Sequence, residues 1–338
     1  MSAIHPEPPF DSTPVTGATT SDLDLELVRT HVDTATRQLR YMGGISDPIE
    51  FLHEQEGLMR LDGEDVPTVA AMLFFGTNPQ RFMRHAVTKL AHYPTDDVIS
   101  TAVQHMASYE GRVADQIRAV IAYFDTHIER GFVLGEGGTR RERPQFPPPA
   151  YRELTVNAVA HRDYQLTGSA IRITYFRSKL EWVSPGSLPP NVTLDNILDM
   201  QYSRNPTLAR FLYQAGFVEE FGQGLNTVFN LMHAQELAAP QLRDIGSAFI
   251  VSIQGHLPLS LWTEQLAALA PHHQTLMRYA LQNGSVNLQQ AATLLRDRGD
   301  RSIQNDLRKL AELGFLEKVG AARATAYVPK RPRLEVLT

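Results

Sequence analysis

The spacing of apolar residues predicts an alternation of helices and strands along most of the chain. Helical periodicity is found at 23–40, in the first half of 66–83, at 112–131, at 151–164 and twice within 206–237. Alternating apolar and polar residues predict strands at 86–94 and 247–254 and a hairpin at 169–185 that turns at 177–179. In the helix predicted at 112–131, Gly131 stands where a C-cap is expected. This order of elements predicts an α+β fold, a sandwich with helices on one face of a sheet.

Two segments interrupt the periodic pattern before residue 150. Residues 1–22 are rich in proline, serine and threonine, and we expect them to form a disordered arm. Residues 135–150, "GEGGTRRERPQFPPPA", indicate a loop or short hairpin that leads into a helix. The predicted domains are an α/β region at 23–134, a second module at 135–256 and a separate tail domain at 270–330.

The tail pattern is that of three helices followed by a two-stranded hairpin. The third helix has Ile303, Leu307 and Leu310 as its apolar stripe, with Ser302 as its expected N-cap. Its ending, "LRKLAELGFLEKVG", resembles the winged helix-turn-helix of many regulators. The resemblance implies a DNA-binding tail.

The amino-acid composition limits the cellular compartment and the kinds of site that we expect. The chain has 338 residues and no cysteine, which excludes disulfides, thiolate zinc sites and cysteine nucleophiles. No secretory leader and no long apolar run is apparent, so we expect a cytoplasmic protein without a membrane partner. From His272 onward eleven Lys/Arg stand against six Asp/Glu, whereas the rest has 21 against 31. A basic tail on an acidic body indicates that the tail meets a polyanion.

A polar row on the helix predicted at 151–164 is the main candidate for chemistry. Glu153, Asn157 and His161 follow one another at i, i+4 and i+8, opposite an apolar face. Such a row is either an ordinary exposed face or one wall of a site.

Several common site motifs are missing from the sequence. No Gly-x-x-x-x-Gly-Lys-Ser/Thr or His-Glu-x-x-His pattern occurs, and the 12 histidines show no clear metal-ligand cluster. "HVDTAT" at residue 31 lacks the glutamate and proline that follow the phosphoacceptor of a histidine kinase.

Five signatures in order resemble one known superfamily. They are "RELTVNAVAHRDY", "GSAIRITYF", "SPGSLPP", "SRNPTLARFL" and "VEEFGQGLN". Together they resemble the GHKL ATPases, and most closely the divergent branch labelled RecG-like C-terminal or Schlafen-associated. The resemblance, over about residues 25–255, implies a GHKL-type sandwich, preceded by an α/β region and followed by the winged helix, that binds ATP and Mg²⁺.

The resemblance also implies a role for individual residues. Asn157 would bind Mg²⁺ through its amide oxygen, and Glu153 one turn earlier would be the general base. Gly222 and Gly224 would admit phosphates to a helix N-terminus, while Gly186 and Leu188 would lie beside the adenine. His161 and Arg162 would reach the phosphates or tether the lid over the site. Alternatively, Arg162 and Asp163 form an ion pair that holds the helix end.

Ser184 departs from the superfamily pattern. An aspartate normally stands here and accepts the adenine amino group, whereas a neutral hydroxyl is a weaker acceptor. Adenine recognition is therefore the weakest part of the resemblance.

The third tail helix carries the side chains expected to contact DNA. Those suited to base edges are Arg301, Gln304, Asn305 and Arg308, and those suited to phosphates are Lys309, Lys318 and Arg323. Asp300 and Asp306 on the same helix favour an alternative, in which the domain docks a protein or forms a dimer.

These observations predict a homodimeric DNA-binding transcription regulator whose ATP module gates it. One alternative is a slow Mg²⁺-dependent ATPase that acts as a clamp in DNA repair or defence. The other is a degenerate module that binds no nucleotide and serves for dimerisation.

Overall fold

The computed structural model describes most of the chain and divides it into two compact units. The described residues are 8–96, 98, 103–134, 140–218, 224–256, 266–283, 285–320 and 325–329. The first unit combines residues 1–127 and 146–255, and the second combines 128–145 and 256–338. This division differs from the boundary predicted between 134 and 135.

Helices and strands make up the larger part of both units. The helices are α1 (Leu25–Arg37), α2 (Pro48–Glu54), α3 (Val69–Phe75), α4 (Val113–His127), α5 (Pro148–Ala160), α6 (Pro206–Gln214), α7 (Gly224–Ala234), α8 (Pro271–Asn283), α9 (Leu288–Leu294) and α10 (Asp300–Glu312). The strands are β1 (Leu58–Leu61), β2 (Glu64–Pro67), β3 (Thr88–His92), β4 (His105–Tyr109), β5 (Arg130–Leu134), β6 (Arg140–Pro144), β7 (Ile171–Tyr175), β8 (Lys179–Pro185), β9 (Gln241–Asp244), β10 (Ala248–Gln254), β11 (Leu316–Val319) and β12 (Ala326–Pro329). The predicted α+β class is confirmed.

A six-stranded mixed sheet forms the centre of the first unit. Its order is β4-β3-β7-β8-β10-β9, and β3 pairs with β7 in parallel while the other neighbours are antiparallel. The hairpin predicted at 169–185 is thus two central strands. Strands from the predicted α/β region and from the following module share this sheet, so the two regions fold as one unit.

Helix α5 is fixed to the sheet by polar contacts as well as apolar ones. Trp182 Nε1 on β8 donates to Thr155 Oγ1 at 3.1 Å, and Ser184 Oγ donates to the Ala158 carbonyl at 2.7 Å. Tyr151 and Leu154 are buried on the same helix, which also packs against α4 and α7. The helix is therefore held firmly, and the side chains it projects have fixed positions.

The disordered arm predicted at 1–22 is wrong for the residues that the structure describes. Residues 8–22 contain two short 3-10 helices, Phe10–Ser12 and Thr20–Asp22, and Val15 and Ala18 are buried. The Asp11 carboxylate accepts the Leu208 N–H at 2.9 Å and so satisfies a free donor at the start of α6. Polar residues of this segment cap another helix, which composition alone does not reveal.

Two predicted helix ends are also wrong. Gly131 does not cap α4, because α4 ends at His127 and Gly131 pairs with Arg143 in the β5–β6 hairpin. Helix α5 ends at Ala160 with His161 as its C-cap, so residues 162–164 do not continue it.

In the second unit, helices α8, α9 and α10 and the β11–β12 hairpin enclose their own apolar core. Leu276, Ile303, Leu307 and Leu310 are fully buried there. Val286 forms a two-way backbone bridge with Tyr327 beside the hairpin. The expected cap is wrong by a turn, because α10 begins at Asp300 after Gly299 and Ser302 lies inside it.

No helix among the described residues is long and apolar enough to cross a membrane.

Candidate functional site

Glu153 and Asn157 form a hydrogen-bonded pair on α5. Asn157 Nδ2 donates to Glu153 Oε1 at 3.0 Å, and both side chains are half-buried. The geometry leaves Oδ1, the other amide atom of Asn157, for a donor or a cation. A carboxylate and an amide oxygen one helical turn apart suit a hard divalent cation such as Mg²⁺.

The start of α7 lies directly against this pair. A Cβ on Gly224, the first residue of α7, would overlap the Glu153 carboxylate. The close approach therefore requires glycine at this position. It also places the carboxylate beside the positive end of the helix dipole, where anions are stabilised. Gly222, the other glycine expected here, lies outside the described residues.

Ser184 and Gly186 serve the contact between β8 and the end of α5. The Ser184 hydroxyl is buried and donates its proton to the Ala158 carbonyl. Gly186 has a φ of +108°, and a Cβ there would lie 2.7 Å from the Asp163 Cβ. The glycine thus allows Asp163 to approach, so the geometry supports a structural role for both residues.

The position of Arg162 argues against the phosphate contact that the resemblance implied for it. It is 0% exposed and donates to three backbone carbonyls, those of His85 at 2.6 Å, Leu166 at 3.2 Å and Ser169 at 2.5 Å. Its guanidinium also lies 5.1 Å from the centre of the Tyr164 ring. An arginine whose donors already bind three backbone carbonyls is committed to the fold rather than to a ligand.

The ion pair suggested for Arg162 and Asp163 is formed by a different arginine. Arg204 Nη1 donates to Asp163 Oδ2 at 3.1 Å, and Arg204 Nη2 donates to the Ser187 carbonyl. Sequence reasoning missed this pair because Arg204 is distant in the chain. The sequence shows only that the "SRNP" signature contains a charged residue, and it does not show which carboxylate that residue meets.

The remaining expected residues of this region lie at its edge. His161 is exposed at the end of α5. Leu188 is half-buried, and its backbone N–H donates to Asp244 Oδ2 at 2.9 Å. Asn205 lies just before α6, and its Nδ2 donates to the Ala160 and Arg162 carbonyls. The structure therefore brings together Glu153, Asn157 and Gly224.

Helix α10 presents a polar face with positive charge. Its exposed side chains include Arg301, Gln304, Asn305, Arg308 and Lys309, and Lys318 is exposed on β11. Asp306 is buried and accepts hydrogen bonds from Arg298, so it is not part of that face. Arg323 lies outside the described residues.

Comparison with known proteins supports an ATPase-related domain in the first unit. Residues 168–253 match a family model described as "Putative ATP-dependent DNA helicase recG C-terminal". The matched segment runs from just before β7 into β10 and does not include α5. No curated protein matches the chain.

One solved structure is similar to almost the whole chain. It is the crystal structure of the DIP2311 protein from Corynebacterium diphtheriae, with a TM-score of 0.59 and 20% sequence identity. The similarity covers 95% of this chain and 64% of that one, so this chain spans less than two thirds of its length. At this identity, the likeness concerns the fold alone.

Proposed function

We propose that the first unit binds ATP with Mg²⁺, and that the second unit is a winged helix that binds DNA. The observation that carries the nucleotide proposal is the Glu153–Asn157 pair set against Gly224 at the start of α7. The adjoining match to an ATPase-related family supports it from an independent direction. In this proposal nucleotide binding gates the affinity for DNA.

Each member of the pair has a chemical role in this proposal. Asn157 Oδ1 is the oxygen that would hold Mg²⁺, which supplies charge neutralisation at the phosphates when it is bound. Glu153 is the group that would take a proton from an attacking water. The start of α7 at Gly224 lies against the Glu153 carboxylate, and the positive end of the helix dipole there also favours phosphate oxygens.

Nucleotide binding is tested by calorimetric titration with a non-hydrolysable ATP analogue and Mg²⁺. We expect micromolar binding by the full chain and none by Asn157→Ala. Asn230→Ala is the matched control, because this asparagine is exposed on α7. Equal binding by wild type and Asn157→Ala would refute the role of Asn157, and no binding by any variant would refute the nucleotide proposal.

An ATPase that acts as a clamp is a second candidate, favoured by the position of the Glu153 carboxylate beside Gly224. Glu153→Gln should lower turnover by about 10²- to 10⁴-fold while analogue binding is kept. Glu26→Gln is the control, since the Glu26 side chain is 75% exposed on α1. Turnover that survives in Glu153→Gln would show that Glu153 is not the base.

A scaffold that binds no nucleotide is favoured by the bond from Ser184 to Ala158, because this hydroxyl is already used within the fold. A ligand that binds the folded state at 100 times its Kd stabilises it by about 2.7 kcal/mol. An unchanged melting temperature at millimolar Mg-ATP would support the scaffold and contradict nucleotide binding.

The winged-helix proposal rests on the exposed polar face of α10 and on the hairpin that follows. Arg301 and Arg308 lie on that face, and Asp306 is buried, whereas Asp300 at the start of the helix is exposed beside Arg301. The segment from His272 onward carries a net charge of +5, with eleven Lys/Arg and six Asp/Glu. Both features favour the phosphate backbone of a duplex.

DNA binding is tested by fluorescence anisotropy with a mixed-sequence duplex over a range of salt. Each lost phosphate contact lowers the salt slope by about 0.9. We therefore expect Lys309→Ala with Lys318→Ala, the two exposed lysines suited to phosphates, to reduce both affinity and slope. A pair of exposed arginines in the first unit, Arg29→Ala with Arg118→Ala, should change neither. Equal loss in both pairs would refute a specific role for these two lysines.

Gating is tested in the same assay by adding the ATP analogue and Mg²⁺. We expect the DNA affinity of wild type to change and that of Asn157→Ala to stay constant. An unchanged affinity in wild type, under conditions where the analogue binds, would contradict gating and leave two independent activities.

A further inference from the structure

Two histidines and one aspartate converge between α8 and α10. His272 and His273 lie in the first turn of α8, and Asp306 lies in the middle of α10. Nε2 of His272 is 3.5 Å from Asp306 Oδ1, and Nε2 of His273 is 3.3 Å from the same oxygen. Among the described residues this is the group of histidine and acidic side chains whose ligand atoms all lie within 4.8 Å of one another.

The burial and bonding of His273 indicate that the cluster is not an ordinary hydrogen-bonded contact. The His273 side chain is only 6% exposed. Its Nε2 is buried and lies 3.3 Å from Asp306 Oδ1, a charge contact whose geometry falls short of a hydrogen bond. A buried polar atom that remains unpaired costs about 1–3 kcal/mol, so its orientation towards Asp306 requires a reason.

Arg298 fixes the carboxylate in the orientation that a ligand needs. Its Nε donates to Asp306 Oδ2 at 2.9 Å and its Nη2 donates to Oδ1 at 3.2 Å. Carboxylate ligands of metals are commonly held by such outer hydrogen bonds. Oδ1 has two lone pairs, so one remains for a second partner.

We propose that His272, His273 and Asp306 form a binding site for a divalent transition metal of the zinc class. Tetrahedral zinc with ligands at about 2.0–2.1 Å has neighbouring ligand atoms about 3.3 Å apart. The two measured separations from Oδ1 match that edge. Three protein ligands leave a fourth position for water or another donor. Imidazole and carboxylate together select zinc, cobalt or nickel over magnesium and calcium.

The local charges set the strength of this site. Imidazole ligates metals in its neutral form, so protons compete with a metal for this site. Arg298 and Lys309 are cationic neighbours and reduce the affinity for a dication. A metal here would link the start of α8 to α10, the helix with the proposed DNA-binding face.

The site is tested by titrating the metal-free full chain with Co²⁺ and following its visible absorption, with Zn²⁺ as competitor. We expect one tetrahedral site per chain that Zn²⁺ displaces. His272→Ala should lower the affinity at least tenfold, because one of three ligands is lost. His233→Ala is the control, since His233 is exposed on α7 in the other unit.

His272→Gln serves as a second variant if the alanine variant fails to fold, because it keeps size and polarity. Circular dichroism checks that each variant is folded. No tetrahedral cobalt spectrum in wild type would overturn the proposal, as would equal affinities in wild type and a folded His272 variant. The assay contains neither nucleotide nor DNA, so its outcome is independent of the proposed function.

Discussion

Arg162 provides the clearest test of how the end of α5 is built. Its guanidinium is fully buried and donates to the carbonyls of His85, Leu166 and Ser169. Arg162→Met keeps an unbranched side chain in place of the arginine stem and removes every donor. Arg162→Lys keeps the charge but replaces a planar fork with a compact ammonium that cannot serve three separate carbonyls.

The magnitude follows from the number of acceptors left without a partner. A hydrogen bond to a charged group contributes about 1.5–3 kcal/mol, and the cost of burying the guanidinium, several kcal/mol, offsets part of the sum. When that cost is subtracted from the contribution of three such bonds, the free energy of unfolding should fall by about 3 kcal/mol in Arg162→Met. With a denaturant slope of about 2 kcal/mol per molar urea, the midpoint should fall by about 1.5 M.

Urea unfolding followed by tryptophan fluorescence measures this loss in the first unit. Trp182 is 2% exposed on β8, and replacing Trp262 by phenylalanine makes Trp182 the sole reporter among the chain's two tryptophans. Arg29→Met is the control, because this arginine is 54% exposed and surface substitutions change stability by less than about 0.5 kcal/mol. If Arg162→Met were as stable as this control and lost only analogue binding, Arg162 would contact phosphate after all.

Three further predictions concern two buried polar side chains and the part of the proposed site that would face the adenine. Burial raises the pKa of Asp11 from 3.8 to about 6, so wild type should lose about 2 kcal/mol relative to Asp11→Asn as the pH rises from about 4 to 7. Urea unfolding at both pH values measures this, and parallel profiles would contradict it. Ser184→Ala should cost about 1 kcal/mol and leave analogue binding unchanged; binding lost at full stability would return Ser184 to the adenine contact. Because Ser184 and Gly186 support the fold, GTP should compete for the ATP analogue with an affinity within about tenfold of ATP, and a difference above 100-fold would contradict this reasoning.

The periodicity of apolar residues correctly predicted helices and strands that are defined by residues close together in the chain. The hairpin turn at 177–179 lies between β7 and β8, and the apolar stripe of α10 is buried as expected at Ile303, Leu307 and Leu310. Each follows from a repeat of 2 or 3.6 residues that the sequence displays directly. The α+β class follows in turn from the order of these elements.

Contacts between distant segments account for the features that were missed. The parallel pairing of β3 with β7 leaves no trace in either strand, and it is this pairing that merges the two predicted regions. Asp11 looks like part of a polar arm until α6 lies beside it. The group of His272, His273 and Asp306 was missed because adjacent histidines are an unusual ligand spacing and Asp306 lies on another helix.

The two ends of the polar region on α5 differ in how deeply their side chains are buried. At the far end, Arg162, Ser184 and Asn205 are buried and donate to backbone carbonyls, so they maintain the shape of the fold. At the near end, Glu153 and Asn157 are only half-buried and bond to each other. A ligand can replace the bond within a half-buried pair, whereas a carbonyl that stays buried and loses its donor costs about 1–3 kcal/mol. The affinity of the proposed site should therefore come mainly from phosphates and their metal, with the base contributing less.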